Sequence, residues 1–350
     1  MHIAIVGAGL VGRLLGWQLL EKGHDVTLFD KDNGSGEQSA GMVAAAMLAP
    51  LSEVLHAEPE VYHHGLAGIS TWRQWVDQLN HTTDTHVAMR HDGSIVVAHR
   101  QDSGDYRRLV QQFRSHPSID QDSVIELDCT RVNELEPELS ERFDRGCLLG
   151  SEGWLDNHAL FAALSERMDA LGGRREKADI AHLDNETLPG FDHVIDCRGF
   201  GAATDIADLR GVRGEVIRVK APEVNLTRPV RLVHPRYKLY ISPKPGRRYV
   251  IGATQIESSS EAPVTVRSSL EMLSALYSIH TGFSEAHIIE QSARCRPAFA
   301  DNLPRIEQDG NVLRINGLFR HGYLLAPTVI EQALFVLGEG SNNSWPAIVR

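Results

Sequence analysis

Residues 2–12 read His2-Ile3-Ala4-Ile5-Val6-Gly7-Ala8-Gly9-Leu10-Val11-Gly12, and Asp25-Val26-Thr27-Leu28-Phe29-Asp30 follows after one short amphipathic stretch. His2 to Val6 is an apolar run of the kind that makes a buried strand. Leu14, Leu15, Leu19 and Leu20 recur at helical spacing as far as Lys22-Gly23, where a helix can end. Residues 25–30 read as a second strand. The order strand, GxGxxG, helix, strand, acid is the dinucleotide-binding pattern, and each part has a physical reason. Gly7 permits the tight turn, Gly9 lets the backbone approach a pyrophosphate, and Gly12 lets the helix pack against the strand. The unpaired N–H groups of the helix start attract phosphate, and Asp30 can accept bonds from ribose hydroxyls.

Outward from this start, the chain is an ordinary globular one. It has 350 residues, 42% hydrophobic and 23% charged, with a net charge of −11. That length suits about two domains. The acidic balance argues against a general nucleic-acid binder, which needs a basic face. Cys129, Cys147, Cys197 and Cys295 are scattered and form no CxxC, so neither a disulfide scaffold nor a structural zinc site is expected. A reducing cytoplasm is the simplest location. No HExxH or other metal set is present. The longest apolar run, Ala40 to Leu51, contains a proline and falls short of the ~20 residues a membrane span needs.

After Asp30 comes Gly34-Ser35-Gly36-Glu37-Gln38-Ser39-Ala40-Gly41, then Met42-Val43-Ala44-Ala45-Ala46-Met47-Leu48-Ala49-Pro50. Such small residues let backbone pass close to a flat group; a short Ala-rich helix is the alternative. Helices are expected over Val61–Leu79, Tyr106–Arg114, 132–137 and 157–171, the last capped by Asp156. Residues 86–91 and 94–99 read as a hairpin, since Asp92-Gly93 suits a type I′ turn. His193–Cys197 reads as a buried strand, and 211–219, 238–242 and 248–254 as antiparallel strands. Asn311–Gly317 reads as a strand leading through 318–328 into a helix ending near Leu337, with Pro327 near its first turn. The α/β start is thus interrupted by antiparallel segments, which suggests two interleaved domains.

The stretches GAGLVG (7–12), AAAMLAPLSE (44–53), EGWLDNHALFAAL (152–164), VIDCRGFGA (194–202), GVRGEVIRV (211–219), LYISPKPGRRYVIGAT (239–254), RPAFADNLPRI (296–306) and NGLFRHGYLLAPT (316–328) together resemble the D-amino-acid oxidase superfamily of FAD-dependent oxidoreductases, nearest its glycine oxidase branch. The resemblance covers nearly the whole chain. It implies an α/β (α+β) architecture, a Rossmann-like FAD-binding domain interleaved with a mainly antiparallel β-sheet substrate domain. The FAD-binding segments would be 1–80, 140–210 and 290–350, and the substrate segments 81–139 and 211–289.

The resemblance also implies roles. Tyr240 and Arg296 match the residues that hold a substrate carboxylate, and Arg320 matches a second arginine between substrate and flavin. Gly7, Gly9, Leu10, Val11, Gly12, Asp30 and Lys31 fall on the ADP side of a non-covalent FAD. Gly317, Gly322, Tyr323 and Leu324 match the loop around the flavin ring, and Ala46, Met47, Gly199, Arg320 and His321 are further FAD-binding candidates. The activity implied is oxidation of the C–N bond of a small amino acid, such as glycine, sarcosine or a small D-amino acid. A hydride would pass to flavin N5, and the imine would hydrolyse to an oxo acid, with O2 as a candidate electron acceptor. Alternatives are a larger N-substituted glycine-type amine, or an FAD-binding accessory protein without turnover. Gln255, His321, Arg294 and Cys295 depart from the glycine oxidase pattern. Cys295 could tether FAD, although a buried, inert thiol is the expectation.

Overall fold

The computed structural model describes residues 1–32, 34, 36–139, 142–235, 238–341 and 345–349. Ser35 of the glycine–serine run, and Ser140 and Arg350 at expected segment limits, lie outside the described residues.

The strand His2–Val6 forms the centre of a six-stranded sheet ordered 305–309, 312–316, 193–196, 2–6, 25–30, 174–177. All pairs are parallel except Arg305–Asp309 with Val312–Asn316. The chain leaves His2–Val6 toward Asp25–Asp30 on one side, while His193–Asp196 flanks the other. Such a reversal opens a crevice at the carboxyl ends of the strands. Helices Leu10–Glu21, Pro59–Thr82, Asn157–Ala170 and Gly322–Val336 cover one face. Their core includes Trp17, Trp72, Phe161 and Leu325, all almost fully buried.

A nine-stranded sheet stands over the crevice. It runs from His287–Ala298 through Arg210–Lys220, Arg248–Gly252, Lys238–Lys244, Val230–Val233, Ser94–Ala98 and Arg145–Leu149 to Val124–Asp128, with Ile256–Glu257 also against Arg210–Lys220. Only Val230–Val233 with Ser94–Ala98 is parallel. The strands Arg145–Leu149 and His287–Ala298, at the edges of expected cofactor segments, are members of this sheet. Among the described residues, no helix is long and apolar enough to cross a membrane.

Two local expectations are corrected. Residues 86–91 and 94–99 do not form a hairpin. Met89–Arg90 joins Gly153–Leu155 in a small three-stranded sheet, whereas Ser94–Ala98 pairs with Arg145–Leu149 in the large one. A type I′ turn needs positive φ at both central residues, but only Gly93 has it. Asp92 is instead drawn into ion pairs with Arg90 and Arg228. The second correction concerns Pro327, which lies inside the helix Gly322–Val336 beyond its first turn. Proline has no N–H for the carbonyl four residues back. That carbonyl, of Tyr323, accepts the indole N–H of Trp72 at 2.6 Å instead.

Candidate active site

A cavity of about 1060 Å³ runs from the glycine loop to the underside of the large sheet. At its nucleotide end, Gly7 has φ +103°, and a side chain there would strike the Cys197 carbonyl at 2.5 Å. A Cβ at Gly12 would lie 2.0 Å from the Gly7 carbonyl. Both glycines are therefore obligatory for this strand–helix turn. The helix Leu10–Glu21 starts at Gly9 with no side-chain cap, which leaves its first N–H groups to serve an anion. Asp30 is fixed by the Ala8 and Asp32 N–H groups, which donate to its two carboxylate oxygens. Gly7, Gly9, Leu10, Val11, Asp30 and Lys31 line the cavity; Gly12 does not, because it is buried between helix and strand.

Ala44, Ala45, Ala46 and Met47 line the cavity beyond the glycine loop, as do Gly199, Arg320, His321, Gly322, Tyr323 and Leu324. A short helix, Ala40–Val43, precedes these small residues, so the helix reading of that stretch holds for its first part. Gly317 does not line the cavity. It has φ +81°, a Cβ there would strike Phe299 at 2.2 Å, and its N–H binds Asn316 Oδ1. Asn316 in turn donates to the Gly199 carbonyl at 2.9 Å, tying the two flanking loops together. The glycine loop with its acid, the small residues 44–47 and the glycine-bearing loop before Gly322–Val336 line one continuous cavity, an arrangement that fits FAD.

At the far end, Tyr240 stands on Lys238–Lys244 between Arg231 and Gly252 in register. Arg296 projects from His287–Ala298 and donates through Nη1 to the Thr254 carbonyl at 3.1 Å. Two glycines make the room. A Cβ at Gly252 would approach Tyr240 Oη to 2.8 Å, and one at Gly214 would meet the Arg296 guanidinium at 2.3 Å. Burial pushes the Tyr240 hydroxyl above its ordinary pKa, against the pull of the Arg296 and Arg231 charges.

Arg320 lines the same cavity, but its guanidinium is engaged. Nε donates to Glu53 Oε2 at 2.7 Å, Nη2 lies in ion-pair contact with the same oxygen at 2.7 Å, and Nη1 donates to Gln255 at 3.2 Å. His321 Nδ1 lies 3.3 Å from the same carboxylate oxygen. Burial pushes the imidazole down to about 4 despite the Glu53 charge. Burial opposes ionisation of Glu53, yet His321, Arg320 and Arg231 outweigh it and hold the carboxyl below its usual range. Arg320 is thus paired with Glu53 and Arg231 with Glu152, whereas Arg296 lines the cavity with no carboxylate partner among the described residues. Cys295 is buried, its Sγ faces the Ser258 and Ser260 carbonyls at 3.5 and 3.6 Å, and burial raises its pKa. These are the surroundings of a protonated thiol.

Sequence reading missed Glu53, Arg231, Gly214 and Gly252. Glu53 closes the apolar 44–53 stretch and was the most visible of them, since a carboxylate there interrupts a run of small residues.

The family model DAO, described as FAD dependent oxidoreductase, matches residues 2–331. A Rhizobium etli protein is 37% identical over 329 residues, 94% of each chain, and carries the provisional name thiamine biosynthesis oxidoreductase ThiO. Glycine oxidase of Geobacillus kaustophilus is 25% identical over 351 residues, 93% of this chain and 89% of the relative. The crystal structure of that organism's glycine oxidase superposes with a TM-score of 0.81 at 22% identity, covering 99% of this chain and 96% of the other. Iminodiacetate oxidase (IdaA) from Chelativorans sp. BNC1 does so with a TM-score of 0.81 at 22% identity, covering 99% and 98%. The last two are likenesses of fold.

Proposed function

The chain belongs to this family of FAD-dependent oxidoreductases, and from that premise we propose that it oxidises the C–N bond of a small amino acid of the glycine, sarcosine or small D-amino-acid class. The observation that carries the reading is the Arg296–Tyr240 pair at the end of the cavity, with space made for both by Gly214 and Gly252. A planar guanidinium grips a carboxylate with two parallel charge-assisted bonds, and a tyrosine hydroxyl adds a third donor. FAD, when bound, supplies the two-electron acceptor for the hydride leaving the substrate carbon.

The residues of the chain bind and orient. Arg296 fixes the carboxylate, so the Cα–N bond is presented toward the small residues 44–47 rather than tumbling. Restricting the reactant in this way lowers the barrier by several kcal/mol, out of about 7–11 available to ideal positioning. Tyr240, like any tyrosine, is protonated at neutral pH, and burial raises its pKa further, so it donates to the carboxylate instead of repelling it. A substrate that arrives with a neutral amine needs no protein base.

Gln255 and His321 are tied to Arg320 and Glu53, which favours a small substrate over a larger N-substituted one. The test is product formation: FAD-loaded protein given glycine should release glyoxylate and ammonium, and sarcosine glyoxylate and methylamine. Tightly held FAD with no product from any small amino acid would support an accessory role instead.

A further inference from the structure

Lys244 has no place in the chemistry above, yet it is almost completely buried. Its Nζ donates to the Ala45 and Leu155 carbonyls, both at 2.7 Å, and lies 4.9 Å from the Trp154 ring centroid. A buried amine so placed is held for its donors. The neighbouring carbonyls are held in the same way. Asn157 Nδ2 lies within 3.0 Å of the Gly41, Met42 and Ala44 oxygens. Buried Arg218 donates through Nη2 to the Met42 and Ala44 oxygens at 2.8 and 3.2 Å, and the Tyr323 hydroxyl donates to the Gly41 oxygen at 2.9 Å. The carbonyls of Met42, Ala44 and Ala45 are therefore all held by donors that do not line the cavity.

A trans peptide is planar, so the N–H that follows a carbonyl points the opposite way. With the Ala44 and Ala45 carbonyls turned back to Asn157, Arg218 and Lys244, the Ala45 and Ala46 N–H groups turn away from them. Ala44, Ala45 and Ala46 form the cavity wall, and among the described residues neither of these two N–H groups meets a backbone acceptor. Ala46 also has φ +49°, a left-handed conformation that disfavours alanine and persists only where the surroundings enforce it.

We propose that Lys244, with Asn157 and Arg218, is a rear clamp that positions residues 42–46 so that the Ala45 and Ala46 N–H groups are offered to the flavin ring of FAD. Lys244 is thus a positioning residue for the cofactor, acting through Ala45 from the far side of the loop. The proposal rests on the FAD reading above, and FAD titration separates the two.

The experiment compares FAD binding by apoprotein of wild type, Lys244→Met and Lys244→Gln, followed by quenching of flavin fluorescence and by the visible flavin spectrum. Lys244→Met keeps the aliphatic bulk and removes the donors. It should raise the Kd for FAD by about tenfold or more and shift the flavin bands, while Lys244→Gln, which retains donors on a shorter arm, should fall between. Folded Lys244→Met with a wild-type Kd and a superimposable spectrum overturns the proposal. Should Lys244→Met fail to fold, hydrogen exchange on the wild type decides: FAD must protect the amides of residues 45 and 46. FAD uptake without that protection overturns the clamp and leaves the FAD reading standing. A wild-type apoprotein that takes up no FAD overturns both.

Discussion

Arg320 and Glu53 meet at a single carboxylate oxygen, Nε donating a charge-assisted hydrogen bond to Oε2 at 2.7 Å and Nη2 lying in ion-pair contact with it at 2.7 Å. The residues are 267 positions apart, one from the helix Pro50–Val54 and the other from the turn before Gly322–Val336. The pair assigns the cations of the pocket different work. Arg320 is neutralised by Glu53, and the Arg296 fork remains for a carboxylate. Glu53→Gln should leave Arg320 a free second cation. The ratio of KM for glycine to KM for the dicarboxylic amine iminodiacetate should rise about tenfold, an effect of about 1.4 kcal/mol that is modest for an unscreened charge at contact. A ratio that does not move would mean that Arg320 and Glu53 do not face the substrate.

The same cluster makes stability depend on pH in a defined direction. His321 has its pKa pushed down to about 4 by burial in the folded protein, against about 6.5 when unfolded. Between those values the unfolded chain binds a proton that the folded one refuses, so stability falls as the pH drops from 6.5 toward 4. The full effect is on the order of 3 kcal/mol. Glu53, held below its usual range, acts in the same direction, because its contribution is lost as pH falls through its folded pKa. Tm measured from pH 7 to 4.5 should decline, and His321→Asn should flatten the decline. Parallel curves for the two proteins would remove His321 from this role.

Tyr240 has the opposite displacement. Burial raises its pKa, so its hydroxyl remains a donor through mildly alkaline pH. Tyr240→Phe should raise KM about fivefold, the loss of about 1 kcal/mol expected for one hydrogen bond. It should leave the alkaline side of the KM–pH profile unchanged below about pH 10. An alkaline limb present in wild type and absent in Tyr240→Phe would show the tyrosine ionising.

Gly12 carries the cofactor end. A methyl group there would lie 2.0 Å from the Gly7 carbonyl, so helix Leu10–Glu21 must move off the strand. Overpacking of this kind costs about 1–3 kcal/mol and displaces the N–H groups meant for the pyrophosphate. Gly12→Ala should purify with little or no FAD by its visible-to-ultraviolet absorbance ratio; full FAD content would contradict the assignment.

What the sequence made legible follows from how local each signal was. The turn from His2 to Asp30 could be read because strand, glycines, helix and acid are contiguous, and each glycine meets a steric need visible in the structure. Arg296 and Tyr240 came from family resemblance alone, since one residue on an alternating strand looks like any other. Glu53 and Lys244 were missed because their partners are remote: Arg320 for the first, and Ala45, 199 positions away, for the second. The hairpin expected at Asp92-Gly93 failed because each segment takes a remote partner, Met89–Arg90 with Gly153–Leu155 and Ser94–Ala98 with Arg145–Leu149.

The central claim is that small amino acids deliver electrons to a flavin in this cavity while Arg296 holds their carboxylate. Anaerobic mixing of the FAD-loaded protein with glycine, sarcosine and small D-amino acids, followed at the visible flavin band, tests it most directly. At least one should bleach the band in the wild type. Arg296→Ala should need roughly 10- to 150-fold more of the same substrate for half-bleaching, the loss of about 1.5–3 kcal/mol for bonds to a charged group. A band that no small amino acid bleaches, or one that Arg296→Ala bleaches at the wild-type concentration, would contradict the account.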